Sequence, residues 1–355
     1  MKAITVGSAT IDIIASIRSE DIERMTLHNV TESFLLLEPG RKVDAEQITT
    51  HTGGGAVNAA VSLARQGFDV STLVKVGRDS NAELLLEQFR SEGISPDIVR
   101  RHDTELTAVS VLISSHDRNA AIFTHRGANG FLTEGDIPEG TFDGADLVYV
   151  TNLSNASVEQ FPRIVALAKK SGAFVATNPG ILQLTHNSQQ FFDSLCHIDL
   201  FLCNFQEARS LVPALVNRTG WGREEAGRID LCLEAGEPCL EIQGFKLSLT
   251  AYAEKLHSLG LSYAGVTYGS NGAYVSSMKM DGEVALHKQA VFDTEVASTV
   301  GAGDAFASTL SGCMANGMPV EQSARHAARN AASVVGRIDA QSGLMSWDVL
   351  HAEAV

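Results

Sequence analysis

Apolar positions along the chain fall into two regimes. From Asp146 onward, short runs that are apolar at every position alternate with stretches where apolar residues recur every three or four positions. This predicts strands at Leu147–Val150, Phe174–Ala176, Leu200–Cys203 and Gly265–Tyr268, with helices at Val158–Lys170, Gln189–Leu195 and Leu249–Leu259. Strands without a polar face suit a parallel sheet covered by helices on both sides. Residues 3–9 read as a further strand. Helices at Ala59–Gln66 and Ala82–Ser91 flank a strand at Ser71–Val76, and two helices, Ala305–Met318 and Val320–Val335, precede a loop at Gly336–Gly343.

The other regime is two-residue alternation. Residues 107–114 and 119–125 alternate around Ser115-His116-Asp117-Arg118 and read as a hairpin. Residues 13–50 are strand-like and carry no long helical period. The expectation is an α/β fold with a central, mostly parallel sheet flanked by helices, and a small β lid subdomain from about 13–50 and 95–127. Residues 211–248 hold charge clusters and scattered Gly and Pro, and are expected to form a surface insertion in a single domain spanning 1–355.

Composition narrows the class. With 355 residues, 44% of them hydrophobic, the chain can bury a large core. A net charge of −15 argues against nucleic acid or an anionic membrane as the main partner. No apolar run approaches the roughly 18 residues of a membrane span. Asp12 interrupts the apolar N-terminal stretch, which therefore does not read as a signal peptide. The five cysteines, Cys196, Cys203, Cys232, Cys239 and Cys313, are odd in number and include no C-x-x-C pair, as expected for reduced thiols in a cytoplasmic protein.

The strongest chemical signal is Ser298-Thr-Val-Gly-Ala-Gly-Asp-Ala-Phe306, which opens a helical pattern. Small residues at Gly301, Ala302 and Gly303 let backbone N–H groups converge on one point at a helix start, where the dipole favours an anion. Asp304 at the mouth of such a site suits a base that takes a proton from a hydroxyl while the amides hold a phosphoryl group. Asp is also a favoured helix N-cap, and Gly-Ala-Gly also serves as a tight turn. A dinucleotide fingerprint is disfavoured, because Phe306 stands where its third glycine belongs.

Other stretches add candidates. Asp12 follows the first strand, where α/β sheets gather ligands, and could equally cap a turn. Gly53, Gly54 and Gly55 precede a helix that carries Asn58, whose amide can both donate to and accept from a hydroxylated ligand. Arg126 suits a carboxylate or phosphate on a substrate, or is an exposed structural side chain. The Gly269–Gly272 turn either approaches a nucleotide phosphate or is an ordinary hairpin.

With both glycine stretches in hand, the chain resembles the PfkB/ribokinase family of carbohydrate and nucleoside kinases. The N-terminal signature is met by Gly53, Gly54, Ala56, Asn58, Ala60, Gly67 and Gly77. The C-terminal one is met by Thr299, Gly301, Ala302, Gly303 and Asp304. The resemblance implies a ribokinase-like fold and transfer of the γ-phosphoryl of ATP to a hydroxyl, with Asp304 as base and the 301–303 amides as anion hole. It implies that Asp12, Gly53, Gly54 and Asn58 hold the acceptor. It assigns Asn204, Thr267, Gly269 and Gly272 to the nucleotide phosphates, Asn330 to the adenine region and Glu207 to Mg²⁺; Asn204 and Glu207 could instead be a strand-end turn and a first-turn acid of a helix. Lids of this family often dimerise, so a homodimer through the lid is expected.

Thr309 departs from the family pattern where Gly is common, the loop after Gly336 lacks the usual proline, and a third departure concerns the cation. Ser298 stands where the motif usually has Asp, which puts activation by potassium in doubt. The leading expectation is a kinase for a sugar or sugar acid; an adenosine-like nucleoside kinase is the alternative. A catalytically idle sugar-binding regulator has no use for the acid at Asp304.

Overall fold

The computed structural model describes residues 1–17, 23–26, 33–36, 42–115, 120–220, 238–242 and 245–352. Its centre is an eight-stranded sheet. In spatial order the strands are Val284–Gln289, Ala273–Met278, Tyr263–Thr267, Leu200–Asn204, Phe174–Thr177, Leu147–Val150, Lys2–Val6 and Asp69–Leu73. The last six of these run parallel, and the first two join antiparallel at one edge.

The parallel strands are apolar throughout because both faces are covered. On one face Ile4, Val6, Val148, Val150, Val175 and Phe201 meet the helices Phe161–Lys170, Phe205–Thr219 and Leu249–Ser258. On the other, Ala3, Leu147, Tyr149, Ala176 and Leu200 meet Gly55–Arg65, Ala302–Ala315 and Val320–Val335. Fully burying a Val, Leu or Ile is worth about 1.5–3 kcal/mol, so a polar residue inside these strands would be costly on either face.

Strand order reverses at Lys2–Val6: the chain adds Asp69–Leu73 on one side of it and Leu147–Val150 on the other. Crevices at such reversals, beyond the carboxyl ends of the strands, are where open α/β sheets bind ligands.

A second, four-stranded sheet stands over that crevice, in the order Ala120–His125, Ala108–Ser115, Thr10–Ile17, Gln47–Gly53. The strand expected at 3–9 ends early, at Val6, and a second begins at Thr10. Lys2–Val6 stays in the central sheet, and Thr10–Ile17 leaves it for the small one. Asp12 thus lies inside a strand, level with His51 on one side and Ser110 on the other.

The hairpin of this small sheet is as expected in its strands, while residues 116–119 of its turn lie outside the described residues, as does much of 18–41. The segment 211–248 differs from the expectation. Helix Phe205–Thr219 runs through its start with Pro213 inside it, and Cys239–Ile242 pairs with Phe245–Ser248 as a hairpin. The residues 221–237 between them are outside the described set.

Candidate active site

Two helix starts face the crevice. The first belongs to Gly55–Arg65, whose N-cap Gly54 has φ 94° and makes no side-chain cap. The first two amides of this helix are engaged. Ala56 N donates to Ser8 O at 3.2 Å, Gly55 N to Ser8 Oγ at 3.0 Å and Asn58 N to Gly54 O at 2.9 Å. A Cβ at Gly54 would sit 2.6 Å from Ser8 O, and one at Gly53 would overlap the Asp12 carboxylate. The glycines are there so that backbone and carboxylate can touch.

The second start belongs to Ala302–Ala315 and is open. Its N-cap Gly301 is left-handed, φ 79°, and a Cβ there would run into Ala340. Ala302 N makes one long bond to Thr299 O at 3.4 Å, and Ala305 N bonds Gly301 O at 2.9 Å. The amides of Gly301, Gly303 and Asp304 meet no acceptor among the described residues. A Cβ added at Gly303 would meet nothing within 4 Å. Free N–H groups at the positive end of a fourteen-residue helix can hold an oxyanion.

Asp304 does not cap this helix. It lies in the first turn, and its Oδ2 accepts from Asn58 Nδ2 at 2.8 Å, joining the two helix starts. Burial raises the Asp304 carboxyl above its ordinary value and the charge of Asp12 adds to this, while the Asn58 hydrogen bond pulls the other way. Asp304 keeps some accessible surface, so a ligand can reach it.

Asp12 accepts from the Ser110 hydroxyl through a short hydrogen bond. Burial raises its carboxyl as well, against the Ser110 hydrogen bond and the nearby His51. Asn58 is nearly buried, with its Oδ1 accepting from Gln341 Nε2 at 2.9 Å; one N–H of its amide remains for a ligand.

Arg126 follows the outer strand of the small sheet, Ala120–His125, and has helical backbone angles, φ −76° and ψ −21°, at the head of the turn Gly127–Phe131. Its Nη1 donates to Ser154 Oγ at 2.9 Å, and it meets no carboxylate among the described residues.

Asn204 and Thr267 are register partners at the carboxyl ends of adjacent strands. Asn204 and Glu207 form a reciprocal capping box: Asn204 N donates to Glu207 Oε2 at 2.8 Å and Glu207 N to Asn204 Oδ1 at 2.9 Å. Burial raises the Glu207 carboxyl despite these bonds, and Asp304 adds to the rise. One carboxylate oxygen is left for a cation, and relief of that burial by a positive charge fits a hard, oxygen-seeking ion. Among the described residues no group of three or more His, Cys, Asp or Glu could hold a metal.

Gly269 begins a short turn between Tyr263–Thr267 and Ala273–Met278, so this stretch is a hairpin, with Gly272 pressed against Gln289 O. Asn330 is fully buried. Its Nδ2 donates to Thr309 Oγ1 at 2.8 Å and its Oδ1 accepts from Met345 N at 2.9 Å, which places it in helix packing. Ser298 turns its hydroxyl back to accept from Val300 N at 3.2 Å.

Three neighbours escaped the sequence reading. Asn152 accepts from Ser8 Oγ at 3.3 Å and lies beside Gly55. Gln341 braces Asn58 from a loop far along the chain. Tyr149, on a strand of the central sheet, has a buried hydroxyl with no partner among the described residues; burial lifts it well above an ordinary phenol, with Asp304 and Glu207 adding to the effect. Only Tyr149 left a local signal, as the one aromatic in Leu-Val-Tyr-Val.

Comparison with known proteins fits this arrangement. The family model described as pfkB family carbohydrate kinase matches residues 19–238 and 240–347, and the chain belongs to that family. Ribokinase from Schizosaccharomyces pombe is 25% identical over 352 residues, covering 97% of this chain and 94% of that protein. Arabidopsis thaliana ribokinase, solved with ribose and ATP, superposes with a TM-score of 0.71 at 22% identity, over 98% of this chain and 97% of that one. Methanocaldococcus jannaschii nucleoside kinase reaches 0.71 at 18% identity, over 99% and 97%. The chain is thus a carbohydrate kinase of the pfkB family with the ribokinase fold.

Proposed function

We propose that the chain moves the γ-phosphoryl of ATP to a hydroxyl of a sugar or sugar acid, with Asp304 as general base and the amides at Gly301, Ala302 and Gly303 as the anion hole. The observation that carries this is the open helix start, where unpartnered N–H groups stand beside an acid held by Asn58. Asp304 takes the proton of the attacking hydroxyl, and the raised carboxyl is a better acceptor for it than an exposed aspartate. The amides meet the charge on the transferred group without reorganising, since the helix already points them there.

Asp12, the Gly53-Gly54 backbone and the free N–H of Asn58 orient the acceptor. Arg126 stands ready for a carboxylate on it. Asn204, Thr267, Gly269 and Gly272 line the nucleotide side, with Glu207 for Mg²⁺. When bound, Mg²⁺ neutralises charge on the phosphates. The groups around Asp12 and Asp304 are a hydroxyl, an amide, carboxylates and an imidazole, which suits a polyhydroxylated ring over the apolar base of a nucleoside.

The small sheet acts as a lid that excludes water from the crevice. Its outward face carries Ile48 and Phe123, 66% and 54% exposed, and we infer that a second copy covers it, to be tested by sedimentation.

The functional test is ADP release with Mg-ATP across pentoses, hexoses, sugar acids, phosphosugars and nucleosides. A hit among sugars or sugar acids is the expected result. A hit on nucleosides alone would replace the acceptor, and silence in folded, ATP-binding protein would overturn the kinase reading for these classes.

A further inference from the structure

Gln341 belongs to the loop after helix Val320–Val335 and is 6% exposed. Its Nε2 donates to Thr52 O and to Asn58 Oδ1, both at 2.9 Å, and its Oε1 accepts from Thr52 Oγ1 at 3.1 Å. These contacts fix a direction. A backbone carbonyl can only accept, so the Gln341 atom facing Thr52 O is the nitrogen. The second proton of that nitrogen needs an acceptor, which makes the facing Asn58 atom its oxygen. The Asn58 nitrogen is then left for Asp304, where it donates at 2.8 Å.

We infer that Gln341 is a positioning residue for the catalytic base: it holds the Asn58 amide so that an N–H, and not a carbonyl, faces the Asp304 carboxylate. This rests on the reading of Asp304 as base and goes beyond it, by naming what keeps that base ionised in its crevice.

The loop is built to hold Gln341 still. Arg65 Nη1 donates to the carbonyls of Gln341 and Leu344 at 2.8 and 3.1 Å, and the same guanidinium is paired with Glu92 at 2.6 Å. The Asp339 carboxylate accepts from the amides of Gln341 and Ser342, each at 2.8 Å. A fully engaged network of this kind has one arrangement, so its polarity is fixed as well as its position.

The polarity matters because of what else faces Asp304. Asp12, from the small sheet, opposes its ionisation. Tyr149, on a strand of the central sheet, and Glu207, at the start of helix Phe205–Thr219, couple to it electrostatically. His51 and Asp339 stand farther back, His51 acting on Asp12 and on Asp339. Against burial and Asp12, the Asn58 N–H is the direct contact that favours the carboxylate. A flipped Asn58 would present its oxygen instead and turn that attraction into repulsion.

The test is kcat/KM against pH, at saturating ATP with the acceptor found in the panel above, for the native chain and for Gln341→Glu, Gln341→Met, Asn58→Ala and the double Gln341→Met/Asn58→Ala, with a melting curve for each. A carboxylate at 341 can only accept, so Asn58 turns its NH₂ towards it and its oxygen towards Asp304. The acid limb of Gln341→Glu then moves up by about one pH unit or more, with KM for ATP unchanged. Gln341→Met moves it in the same direction by less. The double variant loses no more than Asn58→Ala alone, because Gln341 acts through Asn58.

An acid limb that stays in place, with activity lowered equally at every pH, would overturn the inference, as would additive losses in the double variant. Should Gln341→Glu fail to fold, Gln341→Met and its double carry the same decision. Asp304→Asn runs alongside as the control that separates the two claims. Near-normal turnover in that variant would sink the base itself, whereas a dead Asp304→Asn with an unmoved Gln341→Glu profile would sink only the role of Gln341.

Discussion

The helices Gly55–Arg65 and Ala302–Ala315 begin alike and do different work. Both have a glycine N-cap with positive φ, and neither has a side-chain cap. At the first, the space a side chain would fill is taken by Ser8 and Asp12, and the amides of Gly55 and Ala56 are bonded to Ser8. At the second, the space over Gly303 is open and the amides of Gly301, Gly303 and Asp304 are free. Glycine before a helix therefore has two meanings: a close approach already made, or one left for a ligand. What tells them apart is where the N–H groups go.

Substitutions at the two starts should part accordingly. Gly303→Asp places a carboxylate in the open space at Ala302–Ala315. Turnover should fall by about a thousandfold, as when preorganised donors are lost, while the melting temperature holds, since an acid in the first turn suits the helix dipole. A parallel loss of stability would mean that the space is not free. Gly54→Ala should do the reverse. With positive φ and a Cβ against Ser8 O, it should cost about 2–3 kcal/mol in denaturant unfolding, with KM for ATP little changed.

A third helix start sharpens the contrast. Phe205–Thr219 is capped by side chains, Asn204 and Glu207 in reciprocal bonds. Asn204→Ala should cost about 1 kcal/mol of stability, the ordinary worth of such a cap, measurable as a shift in denaturant midpoint. A loss of ATP affinity without that shift would give Asn204 to the nucleotide alone.

Asp304 links function to stability with a definite sign. Its carboxyl is raised in the folded chain, so folding binds its proton more tightly than the unfolded state does. Its ionised form therefore weakens the fold above the raised pKa, and the penalty fades as pH falls through it. Asp304→Asn should accordingly melt no lower than the native chain at neutral pH, and a clear drop in melting temperature would contradict this. Activity runs the other way: kcat/KM should fall at a pH above the ordinary aspartate range, as the base is protonated.

Much of the architecture was legible because it is written locally. The parallel strands are short apolar runs, and Leu147–Val150 and helix Val320–Val335 lie where the periodicity puts them. The two glycine stretches also announced themselves. The pairings across them could not be read. Asn58 and Asp304, or Thr52 and Gln341, meet only because the sheet brings distant segments to one edge. The start of Gly55–Arg65 was hidden by three glycines that the tertiary contacts tolerate. The course of Phe205–Thr219 past residue 210 was hidden by Pro213, a helix breaker kept in place by the packing of Leu211, Val212 and Leu215 on either side. Asn330 matched a family position, yet its buried hydrogen bonds spend it on helix packing.

The proposal that Asp304 accepts the proton of the attacking hydroxyl is tested by single-turnover transfer from Mg-ATP to the acceptor by Asp304→Asn, in protein whose melting curve and ATP binding match the native chain. Transfer should slow by about a hundredfold to ten-thousandfold, the usual worth of a general base, with binding intact. Transfer at a near-native rate would contradict it and leave the open helix start as an anion site without its base.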